Sequence, residues 1–301
     1  MRLSISITNF SWRDERQGLE EHLVSIAEAA DHGGIYGLWV SDHLLQADPY
    51  GAGPGETEML EAYTTLGYLA ARTSRIRLGT LVSAVTFRPP ALLVKAVTTL
   101  DVLSGGRALF GIGAGYQGEE AAAMGLPLPP VPERFDRLEE TLQIALQIWT
   151  GDTSPYHGRH YTLDAPVGSP PPVSRPHPPI LIGGTGEKRT LPLVARYADA
   201  CHVFDIPDGG KTVRHKLAVL RALCDDLGRP YDQIEKVIAT RLQPGESTAS
   251  FVTRCATFAD LGIDHVSVIT TGPWTTEGVG TLVEAADQIV ALGAAASAGP
   301  S

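Results

Sequence analysis

Apolar residues recur along the chain with the spacing of amphipathic helices, and short apolar runs lie between those stretches. Between residues 18 and 32, for example, Leu19, Leu23 and Ile26 fall on one helical face while charged residues occupy the others. The same spacing returns in residues 133–150. Glycine follows most of these stretches, which predicts that the helices end there, because glycine readily adopts the positive φ of a helix C-cap.

The pattern predicts eight strands that alternate with eight helices. The strands are predicted at residues 3–8, 36–41, 75–80, 108–112, 180–183, 200–204, 236–240 and 265–270. The helices are predicted at residues 18–32, 58–73, 89–103, 133–150, 187–198, 211–227, 247–261 and 278–292. Such alternation favours an α/β protein with a parallel sheet covered by helices. Eight units fit a closed (β/α)8 TIM barrel, and a doubly wound open sheet is the competing fold.

One segment, residues 151–179, interrupts the alternation. It shows neither helical nor strand periodicity and carries seven prolines between Pro166 and Pro179. We expect a proline-rich insertion between strands 4 and 5 that lies over the barrel mouth, because long irregular connections in compact domains commonly serve as lids or binding loops. The prediction is therefore a single barrel domain over residues 1–293, with this insertion, followed by a disordered tail at 294–301.

Composition and charge then argue against several classes of binding partner. The net charge is -10 and no run of five or more Lys and Arg occurs, which argues against nucleic acid and anionic membrane surfaces. The first residues lack the apolar region of a secretory signal and no stretch reaches 18 apolar residues, so we expect a cytoplasmic protein with a small-molecule substrate. Three widely spaced cysteines without a CxxC pair, and histidines without ligand spacing, predict core thiols and no metal site.

The chemistry of a parallel barrel is expected at the residues that follow the C-terminal ends of its strands. Asp42 and His43 follow strand 2, where an imidazole suits proton donation near neutral pH, although a purely structural histidine is an equal alternative. Phe10 and Trp12 follow strand 1 and are candidates for stacking on a substrate, or for the core.

Two glycine-rich segments follow strands 4 and 5. Gly111, Gly113 and Gly115 form a GxGxG that is not the dinucleotide fingerprint; it either eases strand packing or clears a shelf for a flat ring. Residues 183–186, followed by Lys188, have the design of an anion site at a helix N-terminus, and a tight turn is the alternative. Their positions at the active face favour a phosphate-bearing flat cofactor.

Several blocks, in order along the chain, resemble the luciferase-like monooxygenase superfamily. The superfamily blocks are residues 38–43, 78–82 and 99–107. Further blocks resemble its deazaflavin-dependent branch, namely residues 111–115, 133–135, 158–161 and 179–189. The resemblance implies a (β/α)8 barrel, usually homodimeric, that binds coenzyme F420 and transfers a hydride between its C5 atom and an organic substrate.

The resemblance also implies roles for individual residues. Asp42 and His43 would sit beside the deazaflavin ring as the catalytic residues. A bulge after strand 3 with a non-prolyl cis peptide near Leu81-Val82 would back the ring. The remaining cofactor contacts implied are Thr80, Gly113, Ala114, Gly115, Tyr116, Glu119, Gly183, Gly184, Thr185 and Gly186. Arg88 precedes two prolines where many relatives have His-Pro, and is either a cofactor-side cation or an anchor for the next helix.

Two other functions stay open at this stage. The same barrel can host flavin mononucleotide (FMN) and molecular oxygen, which would make the chain an FMN-dependent monooxygenase. A barrel that binds a flavin without turnover is the non-catalytic alternative. For the leading hypothesis, the expected reaction is hydride transfer to or from a C=C, C=N or C=O group, with a substrate that the sequence does not identify.

Overall fold

A computed structural model describes residues 1–12, 18–46 and 58–297. Its strands are β1 (Arg2–Ile7), β2 (Gly37–Val40), β3 (Arg77–Thr80), β4 (Ser83–Ala84), β5 (Ala108–Gly113), β6 (Tyr156–His157), β7 (Thr162–Leu163), β8 (Ile180–Gly183), β9 (Ala200–Phe204), β10 (Glu235–Arg241) and β11 (His265–Ile269). Its α-helices are α1 (Leu19–His32), α2 (Ala62–Arg72), α3 (Pro90–Leu103), α4 (Gly118–Met124), α5 (Val131–Thr150), α6 (Thr190–Tyr197), α7 (Lys211–Leu227), α8 (Thr248–Asp260) and α9 (Thr276–Ser297).

Eight of these strands close into a parallel barrel. Their order around it is β3-β2-β1-β11-β10-β9-β8-β5, and β3 pairs with β5 to complete the circle. The predicted TIM barrel is therefore confirmed, and each predicted strand overlaps an observed one. Short β4 continues alongside β5 after β3 has ended. Neither β4 nor helix α4 was predicted, because both lie in the irregular connections that follow strands.

Two apolar layers hold the barrel together. Trp39, Leu109, Leu181, Ala200 and Val237 fill its interior, and Leu81 and Val82 pack against them from the C-terminal side. A larger cluster lies between the strands and the surrounding helices. Gly79 makes room for this interior, because a Cβ there would meet the carbonyl oxygen of Leu109 at 2.6 Å. These side chains form an apolar floor below the C-terminal face. The three predicted core cysteines are buried and free: Cys201, Cys224 and Cys255.

The segment 151–179 does lie between the fourth and fifth barrel strands, but its predicted place over the mouth is wrong. The hairpin β6–β7 runs along the outside of α5, where Glu140 accepts the backbone N–H groups of Arg159 and Tyr161 at 2.8 and 3.0 Å. Val173 and Ser174 then donate their backbone N–H groups to Asp101, near the end of α3. The segment follows a helix and enters a strand, and both of those ends lie at the N-terminal side of a (β/α)8 barrel.

The last described element is a long helix. Helix α9 extends to Ser297, so residues 294–297 of the predicted disordered tail are helical, and residues 298–301 lie outside the described residues. In the part of the chain that the structure covers, no helix combines the length and the apolar character needed to cross a membrane.

Candidate active site at the carboxyl ends of the strands

Two adjoining cavities open at the carboxyl ends of the barrel strands. The glycine cavity, about 610 Å³, is lined by residues 113–116 and 183–186. The polar cavity, about 650 Å³, is lined by Ser6, Thr8, Thr240 and Gln243 among others. Six residues line both cavities and mark their junction: Ser41, His43, Leu81, Tyr116, His202 and Phe204. The two cavities therefore form one cleft with His43 between its halves.

A larger groove, about 1150 Å³, lies at the opposite end of the barrel. It is lined by the N-terminal ends of strands and by helix ends, and four of its charged side chains are already paired: Arg2 with Glu235 at 2.9 Å and Lys236 with Asp264 at 2.8 Å. Active sites of this fold lie at the carboxyl ends of the strands, so the cleft around His43 is the better candidate, although each of its two cavities is smaller than the groove.

His43 forms a buried dyad with Glu120 of helix α4. Its Nδ1 lies 2.7 Å from Glu120 Oε2, and the Glu120 side chain is only 2% exposed. The other carboxylate oxygen accepts the backbone N–H groups of Leu44 and Leu45. Burial opposes the charge on Glu120, but the hydrogen bonds from His43 and from these N–H groups outweigh it and lower the pKa of Glu120. The dyad fixes the imidazole ring and leaves Nε2 as its nitrogen for a bound molecule.

The carboxylate that contacts His43 belongs to Glu120, whereas the sequence predicted that its neighbour Glu119 lies at the cofactor. Glu119 was expected at the cofactor, yet it is exposed on the outer side of α4 and lines neither cavity. Consecutive helical residues point about 100° apart, so the start of a short helix decides which carboxylate faces inward. The sequence carried no signal for that start, because Gln117 precedes the helix without capping it through its side chain.

Asp42 lies beside His43 and is held by Arg88. The two terminal nitrogens of Arg88 donate to the Asp42 carboxylate, and Nη2 also donates to Glu61 at 2.6 Å. Arg88 lies over the Tyr63 ring, 5.0 Å from its centroid, and does not line the glycine cavity. Of its two expected roles, the structure favours the anchor: Arg88 joins the segment that leads into α3 to the end of β2 and to the N-terminus of α2.

The bulge after β3 is present where it was expected. The Leu81-Val82 peptide is cis, and both side chains line the glycine cavity. A Cβ at Gly113 would lie 2.9 Å from Val82 Cγ2, and a Cβ at Gly183 would lie 2.8 Å from the same atom. These glycines thus make room for Val82, which itself forms the wall of the cavity. The GxGxG segment clears a shelf indirectly, through the bulge.

The anion end of the glycine cavity is formed by residues 183–186 and by Arg134 of α5. Gly184 has φ +105°, which only glycine adopts readily, and Thr190 at the start of α6 also lines the cavity. Arg134 donates through Nη1 to the carbonyl of Gly115, while its buried Nε has no hydrogen-bond partner among the described residues. This cation was not predicted from the sequence, where Arg134 belongs only to a block of family resemblance.

Three predicted contacts do not reach the cleft. Thr80 is fully buried and donates to the carbonyl of Gly111 at 3.0 Å, so it joins β3 to β5. Phe10 is 1% exposed and belongs to the core. Trp12 stacks on His22 and donates through Nε1 to the carbonyl of Trp274 at 2.7 Å. None of the three lines either cavity, and the structure corrects the expectation that Phe10 and Trp12 contact a substrate.

His202 and Phe204 are further residues of the cleft that the sequence did not single out. They project from β9 into the junction, where their rings meet edge to face at 4.9 Å. His202 is 6% exposed, and its Nε2 has no partner within the described residues. Burial lowers the pKa of His202 to about 4, so this imidazole stays neutral at physiological pH. Both residues lie inside a predicted strand, where alternation alone does not reveal a ligand contact.

A closed parallel barrel with a histidine–carboxylate dyad in a two-part cleft defines a TIM-barrel enzyme of the type that works at its C-terminal face. The luciferase-like monooxygenase model matches residues 1–266, and the chain belongs to that family. It is 32% identical over 251 residues to an F420-dependent glucose-6-phosphate dehydrogenase of Kineococcus radiotolerans, covering 80% of this chain and 69% of that protein.

A second sequence relative and a solved structure also match the chain. A protein of the same description from Amycolatopsis mediterranei is 36% identical over 180 residues, covering 58% of this chain and 50% of the relative. The solved structure of an F420-dependent secondary alcohol dehydrogenase, in complex with an F420-acetone adduct, superposes with a TM-score of 0.80 at 16% identity. That superposition covers 96% of this chain and 98% of the other, which establishes the shared architecture.

Proposed function

We propose that the chain is an oxidoreductase that uses coenzyme F420 and transfers a hydride between the deazaflavin C5 atom and a small organic substrate. The observation that carries the proposal is the position of His43, which lies between the two cavities and is held by buried Glu120. The family membership and the F420-dependent relatives support the choice of cofactor.

The residues of the glycine cavity fit such a cofactor. Gly113 and Gly183 leave no side chain between the strands and the Val82 wall, so a flat ring has a smooth surface to lie against. The unpartnered Nε of Arg134 and the loop 183–186 supply donors for an anionic tail. Leu81, Ala114 and Tyr116 would complete the contacts, as would Asp42 near the ring.

The protein's own contribution is to hold the reactants and to move a proton. When bound, coenzyme F420 supplies or accepts the hydride, which carries two electrons. In the reducing direction, the carbon of the substrate's C=O or C=N group would take the hydride as the π bond breaks. The oxygen or nitrogen then takes a proton from His43 Nε2, and Glu120 stabilises the charge on the imidazole during the cycle. Reduction of a C=C group would likewise add the hydride to one carbon and the proton to the other.

Equilibrium titration with coenzyme F420 and with FMN tests the cofactor. We expect saturable binding of coenzyme F420, and FMN affinity weaker by at least about tenfold, a difference of about 1.4 kcal/mol. Tight binding of FMN alone would overturn the proposal in favour of a flavin monooxygenase. His43→Ala should lower turnover far more than cofactor affinity; an unchanged rate would remove His43 from the mechanism, and binding without any turnover would favour a non-catalytic barrel.

We also propose that the chain forms a homodimer, as the family resemblance implies. Helix α3 supports this, because Leu92 and Leu103 on its outer side are 57% and 73% exposed. Sedimentation velocity of the wild type and of a Leu92→Glu, Leu103→Glu variant tests it: a dimer that becomes a monomer on substitution is expected, and a monomeric wild type contradicts it. The cytoplasmic location stays a prediction from the sequence.

A further inference from the structure

We infer that the substrate is an uncharged organic molecule with an apolar face, and neither a phosphate ester nor a carboxylate. This inference rests on the proposed function and concerns the polar cavity and its junction with the glycine cavity. The inferred substrate differs from the one that the relatives' name, F420-dependent glucose-6-phosphate dehydrogenase, states for those proteins, because glucose 6-phosphate is a phosphate ester.

An exposed aromatic pair stands at the junction. Tyr116 is 69% exposed and Phe204 is 49% exposed, although each lines both cavities. Each ring also meets a histidine edge to face: Tyr116 meets His43 at 5.9 Å and Phe204 meets His202 at 4.9 Å. Large apolar rings left open beside a polar dyad gain free energy when a ligand covers them. The molecule that enters between them therefore presents an apolar face.

The charges of the polar cavity do not suit an anion. Apart from histidine, its described lining carries one cation and one anion, Arg241 and Asp205. Arg241 already donates to the carbonyl of Thr270 at 2.7 Å and to Thr271 Oγ1 at 3.2 Å. Asp205 accepts from Thr240 Oγ1 at 2.7 Å and stands 3.7 Å from Arg254. A buried phosphate dianion needs several free donors or cations, and the formal charges here cancel.

Two further groups of charges bear on this balance. The segments outside the described residues add no net positive charge by sequence, since residues 13–17 carry two arginines and two acids and residues 47–57 carry two acids. The unsatisfied donor of Arg134 belongs to the glycine cavity, where the cofactor would occupy it.

His202 supplies the polar contact that a neutral substrate needs. It lines the junction, and no carboxylate of the described residues forms an ion pair with it, so it offers a hydrogen bond without charge. With burial lowering the pKa of His202 to about 4, its imidazole cannot serve as a cation for a phosphate at neutral pH. A carbonyl or hydroxyl group held between His43 and His202 satisfies both imidazoles and keeps the apolar part of the molecule against Phe204 and Tyr116.

A set of naphthalene ligands that share one ring system and differ in the polar group and its charge tests the inference. The probes are 2-acetonaphthone, 2-naphthoate and 2-naphthyl phosphate, together with glucose 6-phosphate, each titrated calorimetrically into the full chain with and without coenzyme F420. We expect the ketone to bind about tenfold more tightly than either anion, and glucose 6-phosphate not to saturate. Tighter binding of any anion in the presence of coenzyme F420, or no binding of the ketone, would overturn the inference.

Two matched truncations locate the binding. Phe204→Ala should lower the affinity for the ketone about five- to tenfold, and Phe204→Leu should recover part of that affinity. Ile206→Ala is the control, because Ile206 is 42% exposed but lines neither cavity. An equal loss in both alanine variants would contradict the assignment. If the ketone binds selectively but coenzyme F420 does not bind at all, the proposed function fails while the preference for neutral ligands stands.

Discussion

The carboxylate oxygens of Asp42 lie 2.6 and 2.9 Å from the two terminal nitrogens of Arg88, a bidentate pair beside the proposed catalytic histidine. The Asp42 side chain is 1% exposed and that of Arg88 is 15% exposed, so both charges are largely shielded from water. Buried pairs of this geometry depend on each partner, because removal of one leaves the other as an uncompensated charge.

We predict that Arg88→Met destabilises the protein by about 3–5 kcal/mol, because Asp42 loses its buried partner. Arg88→Lys should cost less, since the charge remains while the bidentate geometry is lost. Urea unfolding measures both. The control is Arg72→Met, which removes a pair with Glu28 whose side chains are 45% and 36% exposed and should cost less than about 1 kcal/mol. Equal losses for Arg88→Met and Arg72→Met would refute the anchor role.

Glu120 should make the stability of the protein depend on acid pH. Its folded-state pKa is lowered, so its contribution is complete above the unfolded value of about 4.3 and is lost as the pH falls through the folded pKa. The free energy of unfolding of Glu120→Gln should therefore fall less steeply with acidification below about pH 4.3 than that of the wild type. Glu119→Gln, at an exposed position, should keep the wild-type slope. Identical slopes in all three proteins would contradict this prediction.

The close approach of Val82 to two glycines predicts a rescue experiment. Gly113→Ala and Gly183→Ala should each destabilise the protein by about 1–3 kcal/mol and weaken cofactor binding, because the new Cβ displaces the Val82 wall. Adding Val82→Ala should restore part of the lost stability, since it removes the atoms that clash. Gly118→Ala is the control, because its Cβ would meet only Leu128, at 3.8 Å. Thermal unfolding that shows no rescue argues against this packing.

The position of segment 151–179 predicts that it can be loosened without loss of the cofactor site. Asp101 accepts three hydrogen bonds from it, two from backbone N–H groups and one from Ser174 Oγ. Asp101→Asn should speed proteolysis within residues 164–179 and leave coenzyme F420 affinity within about twofold, which is under about 0.5 kcal/mol. Asp164→Asn, at an exposed position of the same segment, should do neither. A large loss of cofactor affinity in Asp101→Asn would contradict this prediction and favour a position of the segment over the barrel mouth.

The regular elements could be predicted because their periodicity is local. Every barrel strand was found within a few residues, and the two glycine segments meet in one cavity, as strand ends in a parallel barrel must. The predictions that were wrong depended on the rotation of a helix about its axis or on the direction of a side chain. Glu119 and Glu120 differ by about 100° around a short helix, and Phe10 turns into the core although it follows a strand end.

Other features of the site lay beyond sequence patterns because they depend on contacts between distant residues. Arg134 and His202 lie far from His43 in sequence and meet the same cleft only after closure of the barrel. The Val82 wall likewise requires Gly113 and Gly183 from two different strands. The insertion could have been placed correctly from topology, since a segment that links a helix to a strand starts and ends at the N-terminal side.

The two halves of the cleft are lined by partly different strands of the barrel. The ends of β2, β3, β5 and β9 contribute to both cavities, whereas the end of β8 lines only the glycine cavity and residues of β1, β10 and β11 line only the polar cavity. Substitutions in the second group, such as Thr8 or Gln243, can alter which molecule is accepted without touching the cofactor shelf. A barrel organised in this way can diversify its substrates while its redox chemistry is inherited unchanged.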